Sequence, residues 1–401
     1  MVAFSTAATL LVAAFASLFM AWAIGAGSSG STPFAPAVGA NAIGVMRAGF
    51  VVGILGLLGA VLQGANVTEA VGRELILNVT LSPTAAVVGL LTAAVLVAIG
   101  VFTGYPIATA FTVTGAVVGV GLALGGDPAW AKYREIVALW VSVPFVGGGI
   151  AYATARLLRD ERVAERLAVP ALAGIVGVIL VNVEFVLLGP AGEASSVAGE
   201  AIRALSVAGT TALGARTGVS LLAALLVGSA LYREMAADEA RGQRRFLLVL
   251  GGLVAFSAGG SQVGLALGPM LPLLDDVSFA LPLTLLLAGG GIGLLAGSWT
   301  GAPRMIKALA QDYSSLGPRR SIAALIPSFA IAQTAVFFGI PVSFNEIIVS
   351  AIIGSGYAAS GDGGGEVSAS KMGYTVLAWI GSLVGAFVVS YALFVGVDVA
   401  L

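Results

Sequence analysis

Small hydroxyl and amide side chains cluster at four glycine-containing stretches of an otherwise apolar chain. Two stretches end apolar runs, at residues 25–32 and 259–266, and two open with a proline, at residues 104–119 and 339–354. A break that begins a half-helix exposes backbone N–H groups at its positive end, and hydroxyl and amide groups add hydrogen-bond donors. We therefore predict a site for a small anion. Its candidate residues are Ser28, Ser29, Ser31, Thr32, Thr109, Thr112, Ser261, Gln262, Ser343 and Asn345.

Glu346 is an acidic residue within the apolar stretch 339–358. An ionisable side chain at membrane depth costs on the order of 3 kcal/mol or more unless it is paired or hydrated. We therefore predict that Glu346 couples transport to a cation or proton. Two other intramembrane charges, Glu184 and Arg216, lie in neighbouring spans and are expected to form a buried pair with a structural role.

Each candidate also has a purely structural interpretation. Small residues such as Ser28 and Ser31 allow membrane helices to pack closely. Thr109, Thr112 and Ser343 are of the types that donate hydrogen bonds to a carbonyl of the preceding helical turn. Sequence alone leaves both interpretations open.

The composition excludes most enzyme classes and indicates a membrane protein. Of 401 residues, 58% are hydrophobic, 56 are glycine and only 10% are charged, well below the usual quarter. The chain has no cysteine and no histidine, so disulfides, thiolate nucleophiles, Ser-His-Asp triads and His-based zinc motifs are excluded. Because 19 basic residues face 20 acidic ones, nothing indicates nucleic-acid binding. We expect no enzyme activity and no cofactor beyond a coupling Na⁺ or H⁺.

Runs of about 20 apolar residues, the length that spans a bilayer, recur along the chain. The proline-led stretches 105–125 and 339–358 are rich in small polar residues and are interpreted as broken or re-entrant elements. The expected fold is an all-α polytopic protein of the cell membrane with about 10–12 transmembrane helices. The clear spans are 3–24, 45–65, 84–103, 136–156, 169–189, 204–231, 247–266, 281–299, 321–338 and 372–398.

Basic residues concentrate in three loops, 156–168, 233–246 and 301–321, which hold twelve of the 19. Cytoplasmic loops retain positive charge. Two apolar passes separate each loop from the next, so all three are predicted to face the cytoplasm.

Two sequence pairs indicate an internal duplication. Residues 104–119 align without gaps to 339–354 at an offset of 235, and residues 25–32 align to 259–266 at an offset of 234. Transporters are often built from two such diverged units. The predicted organisation is a first membrane repeat at 1–155, linker spans with cytoplasmic loops at 156–245, and a second membrane repeat at 246–401.

The duplicated stretches also resemble a known family. The run from Phe19 through Gly25-Ala-Gly-Ser28 to Gly59-Ala-Val-Leu-Gln-Gly64 is similar to the GANDVANA and GAVLLG motifs of the PiT family of inorganic phosphate transporters. Phe256-Ser-Ala-Gly-Gly-Ser-Gln-Val263 resembles the second signature, and 104–119 and 339–354 resemble its GLPVSTTH elements. The resemblance implies two inverted repeats, a homodimer, and phosphate carried with a coupling ion.

The sequence departs from these motifs at the residues that the resemblance assigns to binding. Gly27-Ser28 and Ser261-Gln262 stand where the family has Asn-Asp, so both signature aspartates are absent. The Ser-Thr-Thr-His positions read Ala108-Thr-Ala-Phe111 in one copy and Ser343-Phe-Asn-Glu346 in the other. The resemblance therefore implies weakened sodium sites, and proton coupling through Glu346 becomes an alternative.

The leading hypothesis is a secondary active transporter of an inorganic oxyanion, with phosphate as the first candidate substrate. Transport would be coupled to a sodium or proton gradient by alternating access. In this hypothesis the anion binds between the repeats, with Ser28, Ser31, Thr109, Ser261, Gln262 and Ser343 as donors. Two alternatives stay open: a permease for sulfate or another anion, and a non-transporting membrane sensor or assembly protein.

Overall fold

The computed structural model describes residues 2–189, 194–275, 281–312, 316–358 and 369–400. Within these ranges the chain is almost entirely helical. Two short antiparallel strand pairs join β1 (Ile76–Leu77) to β2 (Asp127–Pro128) and β3 (Glu184–Phe185) to β4 (Ser195–Ser196). The α-helices are α1 (Val2–Ile24), α2 (Ala35–Gly39), α3 (Val45–Gln63), α4 (Ala65–Arg73), α5 (Pro83–Thr103), α6 (Thr109–Ala123), α7 (Trp130–Arg159), α8 (Glu165–Asn182), α9 (Val197–Leu205), α10 (Gly209–Ala237), α11 (Glu239–Leu267), α12 (Leu283–Thr300), α13 (Ala302–Asp312), α14 (Pro318–Phe337), α15 (Phe344–Tyr357) and α16 (Ala369–Ala400).

Ten helices of the described ranges are long and apolar enough to cross a membrane, which confirms the predicted all-α polytopic fold. Helices α6 and α15 are shorter, at 15 and 14 residues. At 1.5 Å per residue each covers only about 20 Å of a hydrocarbon layer of about 30 Å. The two proline-led stretches are therefore short helices, each entered through a non-helical segment, as expected for broken elements.

Both short helices begin beside Trp140 of α7. The Trp140 indole Nε1 donates a hydrogen bond of 2.9 Å to the carbonyl of Pro341, just before α15. Its ring stacks on Phe111 of α6, with centroids 3.8 Å apart. The segments that precede α6 and α15 thus meet at one level of the molecule. We call these segments, residues 104–108 and 339–343, the first tip and the second tip.

From this level α6 and α15 run in opposite directions along α7. Helix α6 continues toward the start of α7, where Val118 and Trp130 line one cavity. Helix α15 continues toward the end of α7, where Gly354 lies against the backbone of Gly148. The two helices are therefore antiparallel. This agrees with the inversion that the resemblance implies, although inversion of the complete halves and the boundaries at 155 and 246 stay predictions.

A second tryptophan holds the first tip in the way that Trp140 holds the second. Trp379 of α16 donates a hydrogen bond of 2.8 Å from Nε1 to the Pro106 carbonyl. Each tip is thus held by a helix from the other half of the sequence. Helix α7 packs against α15, and α16 packs against α6. The two halves interlock rather than lie side by side.

The predicted break at 259–266 is wrong, because α11 runs unbroken from Glu239 to Leu267. Its counterpart is closer to the prediction, since α1 passes into a π-helical turn at Gly25–Ser29 before the chain turns. In α11 the glycines serve close packing instead. A Cβ added at Gly259 would collide with the Gly56 backbone of α3, and one at Gly264 would lie 2.6 Å from the Thr68 nitrogen of α4.

The predicted Glu184–Arg216 pair is also wrong. Helix α8 ends at Asn182, and Glu184 lies beyond it in β3. Arg216 is exposed, and its Nε donates a hydrogen bond of 2.7 Å to Asn182 Oδ1 instead. The end of α8 thus supplies an uncharged acceptor before the chain reaches Glu184.

An ion pair joins α4 to the chain that follows α11. Arg73 donates two hydrogen bonds to the Asp275 carboxylate, at 2.7 and 2.9 Å. These bonds lower the pKa of Asp275 and raise the pKa of Arg73. Because both side chains are well exposed to solvent, the pair contributes orientation more than stability.

The contact between α3 and α11 makes a direct prediction about stability. A Cβ at Gly59 would collide with the Phe256 carbonyl, whereas a Cβ at Gly56, one turn earlier, would meet nothing within 4 Å. We expect Gly59→Ala to lower the free energy of unfolding by about 1–3 kcal/mol through overpacking. Gly56→Ala should be neutral or slightly stabilising, because alanine is the better helix former. Thermal unfolding of both variants in detergent measures this difference, and equal midpoints would contradict it.

Candidate functional site

The side chain of Gln262, in α11, is hydrogen-bonded to two segments that are distant from it in sequence. Thr109, the first residue of α6, donates a hydrogen bond of 2.8 Å from Oγ1 to Gln262 Oε1. The Gln262 amide nitrogen donates one of 2.6 Å to the carbonyl of Val342 in the second tip. The side chain is fully buried. One amide therefore bridges the start of α6 and the second tip.

Asn345, in the first turn of α15, makes a second bridge. Its Nδ2 donates hydrogen bonds to the Ile107 carbonyl of the first tip, at 2.6 Å, and to the Gly27 carbonyl of the π-helical turn, at 3.0 Å. Ser28 Oγ of that turn lies 3.4 Å from Thr109 Oγ1. Four segments that are far apart in sequence therefore meet here. We call this meeting of Ser28, Thr109, Gln262 and Asn345 the central junction.

Three other predicted site residues donate their hydroxyl hydrogens to backbone carbonyls. Ser31 and Thr32 both donate to the Ser28 carbonyl at 3.1 Å, and Thr112 donates to the Ala108 carbonyl at 2.9 Å. Each hydroxyl has one hydrogen to donate, so these three side chains have used theirs. Ser29 is buried in the same π-helical turn as Ser28. The structural interpretation describes Ser31, Thr32 and Thr112 well, and substrate contact by them stays a prediction.

Four buried polar atoms next to the junction have no hydrogen-bond partner in the described part of the chain. They are Ser261 Oγ, Ser343 Oγ, Asn345 Oδ1 and Glu346 Oε2, on residues at most 2% exposed. Buried polar atoms are nearly always paired in proteins, so these four atoms are candidates for binding a ligand, an ion or water. The two serine hydroxyls can donate to an anion. The amide oxygen and the carboxylate oxygen can accept from a proton carrier or ligate a cation.

The starts of α6 and α15 add backbone donors. Neither helix has a side-chain cap, although Ser343 occupies the N-cap position of α15. The first N–H groups of a helix have no partner within it, and the positive end of the helix dipole lies there. Both helix starts adjoin the central junction. An anion can therefore be bound here without a lysine or arginine.

Among the described residues there is no group of three or more Asp, Glu, His or Cys that could hold a metal ion. The acidic side chain at the junction segments is Glu346 alone, since residues 25–32, 104–112 and 259–266 contain none. A cation at this site would depend on that carboxylate and on neutral oxygens.

Trp140 and Trp379, which hold the tips from neighbouring helices, were not among the predicted site residues. Trp140 and Trp379 are 239 residues apart, close to the offset of 235 between Pro106 and Pro341, which they contact. Extending the repeat alignment with a short gap would have paired them. Gln63 and Gln333 were missed as well, because their meeting depends on how α3 and α14 both pack against α11.

Comparison with known proteins places this architecture in a family. A family model described as "Phosphate transporter family" matches residues 24–390. A protein of Thermococcus kodakarensis named "Putative phosphate permease" is 24% identical over 409 residues, covering 96% of this chain and 98% of that protein. "Inorganic phosphate transporter 2-1, chloroplastic" of Arabidopsis thaliana is 24% identical over 416 residues, covering 90% of this chain and 68% of its own length.

A solved structure shares the fold. "The sodium-dependent phosphate transporter" superposes with a TM-score of 0.79 and 22% identity, covering 98% of this chain and all of the other. The matches confirm the resemblance drawn from the motifs and the expectation of a transporter rather than an enzyme. This multi-pass integral membrane protein belongs to the phosphate transporter family.

Proposed function

We propose that this protein carries inorganic phosphate across the membrane and binds it at the central junction. The observation that carries the proposal is the pair of unpartnered hydroxyls, Ser261 Oγ and Ser343 Oγ, beside two uncapped helix starts. Family membership supports phosphate as the anion. A tetrahedral oxyanion offers several acceptor oxygens to such a set of neutral donors.

The absence of a basic side chain suits a transporter. Hydrogen bonds to a charged group contribute about 1.5–3 kcal/mol each, so a few donors hold an anion firmly. A lysine or arginine would add a full charge that must stay buried after the anion leaves. Donors that are neutral when empty lower that cost, since hydroxyl and amide groups are cheaper to bury than ions.

The coupling ion is proposed to bind on the first turn of α15. Asn345 Oδ1 and Glu346 Oε2 are acceptors on adjacent residues, next to the anion donor Ser343. An acceptor pair beside an anion site lets a cation or proton and the anion stabilise each other across a short distance. Glu346 takes over the acidic role that the resemblance gives to the two missing aspartates.

The antiparallel course of α6 and α15 supports alternating access. The α5–α6 and α14–α15 hairpins meet at the tips, so tilting one against the other would open the junction toward one side and close it toward the other. Trp140 and Trp379 would move together with the hairpin whose tip each one contacts.

Uptake of radiolabelled phosphate into proteoliposomes tests the proposal. A sodium or proton gradient is applied, and unlabelled sulfate, arsenate and molybdate serve as competitors. We expect gradient-dependent uptake that arsenate inhibits more than sulfate does, since arsenate matches phosphate in charge and shape. Preferential inhibition by sulfate would favour a sulfate permease. Binding without uptake would favour a non-transporting protein.

The two hydroxyls can be tested individually. Ser261→Ala and Ser343→Ala should each weaken phosphate binding about tenfold, which corresponds to about 1.4 kcal/mol for one lost hydrogen bond to a charged ligand. Neither hydroxyl has a partner in the protein, so folding should be unaffected. Ser328→Ala is the matched control, because the Ser328 hydroxyl is equally buried but donates to the Ala324 carbonyl. Equal affinity in all three variants, measured by equilibrium binding, would contradict the assignment.

Glu346→Gln tests the coupling role. The amide keeps the size of the side chain but cannot release a proton or present a full charge to a cation. We expect phosphate exchange between equal concentrations to persist while gradient-driven accumulation falls at least tenfold. A carboxylate placed at Gln333 would not restore accumulation to Glu346→Gln, because Gln333 is hydrogen-bonded to Gln63 and not to the central junction. Accumulation at the unmodified rate in Glu346→Gln would refute coupling through this carboxylate.

A further inference from the structure

A pocket of about 320 Å³ lies between the C-terminal ends of α3, α8 and α14, away from the central junction. Its surface is mostly apolar, but several amide side chains and one acidic side chain line part of it. The polar lining residues are Gln63, Asn66, Asn182, Glu184, Gln333 and Thr334. The pocket is open on one side, and Asn66 Nδ2 is held by the Val336 carbonyl at 3.3 Å.

The pocket lies on the side opposite the basic loops. Helices α8 and α14 begin at Glu165 and Pro318, within the basic loops 156–168 and 301–321. The start of α3 is tied to the third basic loop, because Arg244 Nε donates a hydrogen bond of 2.9 Å to the Ala42 carbonyl. All three helices end at the pocket. If the basic loops face the cytoplasm, as the charge distribution predicts, the pocket faces outward.

Two of the lining residues, Gln63 and Gln333, are buried glutamines that contact each other. Gln333 Nε2 donates to Gln63 Oε1 at 3.1 Å, and Gln63 Nε2 lies 3.3 Å from Gln333 Oε1. Gln63 Nε2 also donates to the Glu184 carbonyl at 2.8 Å, and Gln333 Nε2 donates to Ser257 Oγ at 2.7 Å. We call the Gln63–Gln333 pair the amide latch. It joins α3 to α14, the helix that leads into the second tip.

The latch leads toward the anion site. Ser257 and Ser261 are four residues apart in α11, so they lie on one face of the helix. Ser261 Oγ is one of the hydroxyls without a partner. The polar groups therefore run from the open pocket through the latch and Ser257 to Ser261. The GAVLLG motif that the chain resembles has leucine at the position of Gln63, so this glutamine is a departure from the motif.

We propose that this pocket is the outer mouth of the phosphate path and that the amide latch is its gate, an inference that rests on the proposed function. Opening the latch would free amide N–H donors toward an entering anion while α14 tilts away from α3. Closing it restores the reciprocal bonds and leaves the buried amides satisfied. In the open state the freed amides would pair with the anion instead, so the polar groups are satisfied in both states, as a gate within the membrane requires.

Labelling of single cysteines tests the position of the mouth, since the chain has no cysteine of its own. Thr334→Cys, in the pocket wall, should react with a membrane-impermeant thiol reagent added outside. Gln243→Cys, which lines the cavity beside the basic loops, should react only from inside. Reaction of Thr334→Cys from the inside alone would overturn the proposal. This readout does not depend on transport.

Cross-linking tests the gate. In a Gln63→Cys/Gln333→Cys variant, a short bifunctional thiol reagent with a cleavable disulfide should lower phosphate uptake at least tenfold, and reduction should restore it. Each single variant treated in the same way is the control. Undiminished uptake with the cross-link formed would overturn the gate. Absence of uptake in the unmodified protein would instead count against the proposed function.

A second readout covers a double variant that is inactive before cross-linking. Ser257→Cys lies behind the latch and should react slowly with the outside reagent. Adding Gln333→Ala removes the latch and should raise that reaction rate at least tenfold, whether or not the protein transports. An unchanged rate would contradict the role of Gln333 as a barrier between the pocket and Ser257.

Discussion

The two hydrogen bonds of the Gln262 side chain hold the centre of this protein together. A buried amide without partners is costly, and no water is available in the bilayer core to satisfy it. Gln262 meets this constraint by accepting from Thr109 and donating to the Val342 carbonyl. The start of α6 and the second tip are thereby fixed against one helix, and Asn345 fixes the first tip to α15 in the same way. The donors and acceptors left over lie around this junction.

Close packing places α11 where Gln262 can make these bonds. Glycines on α3 and α11 leave no room for a Cβ between the two backbones at Gly59 and Gly259. The tips are held from outside by Trp140 and Trp379, each from the opposite half of the chain. Hydrogen bonds join the second tip to α11 and the first tip to α15. Such bonds can be exchanged when the hairpins move, while the residues of the site stay the same.

Much of the fold could be predicted, because the bilayer imposes simple rules on length and hydrophobicity. The ten spans and the short helices α6 and α15 follow from apolar runs and from proline-led polar stretches. The break at 259–266 was wrong because glycine favours a break and close packing equally, and only the partner helix decides between them. The pairing of Gln63 with Gln333 joins residues 270 positions apart, which no local pattern reveals. The unpartnered atoms of Ser261 and Ser343 likewise become visible only once every neighbour is placed.

In the proposed mechanism, neutral hydroxyl and amide groups bind the anion, and Glu346 takes the acidic role of the two signature aspartates that the chain lacks. The proposed transport depends on phosphate binding at the junction organised by Gln262. The most direct measurement is equilibrium binding of radiolabelled phosphate to purified protein, with Gln262→Met as the variant, because methionine is similar in size but can neither donate nor accept strongly. We expect saturable binding to the unmodified protein and at least a tenfold loss of phosphate affinity in Gln262→Met, with cooperative unfolding retained. Equal phosphate affinity in the two proteins would contradict the proposal.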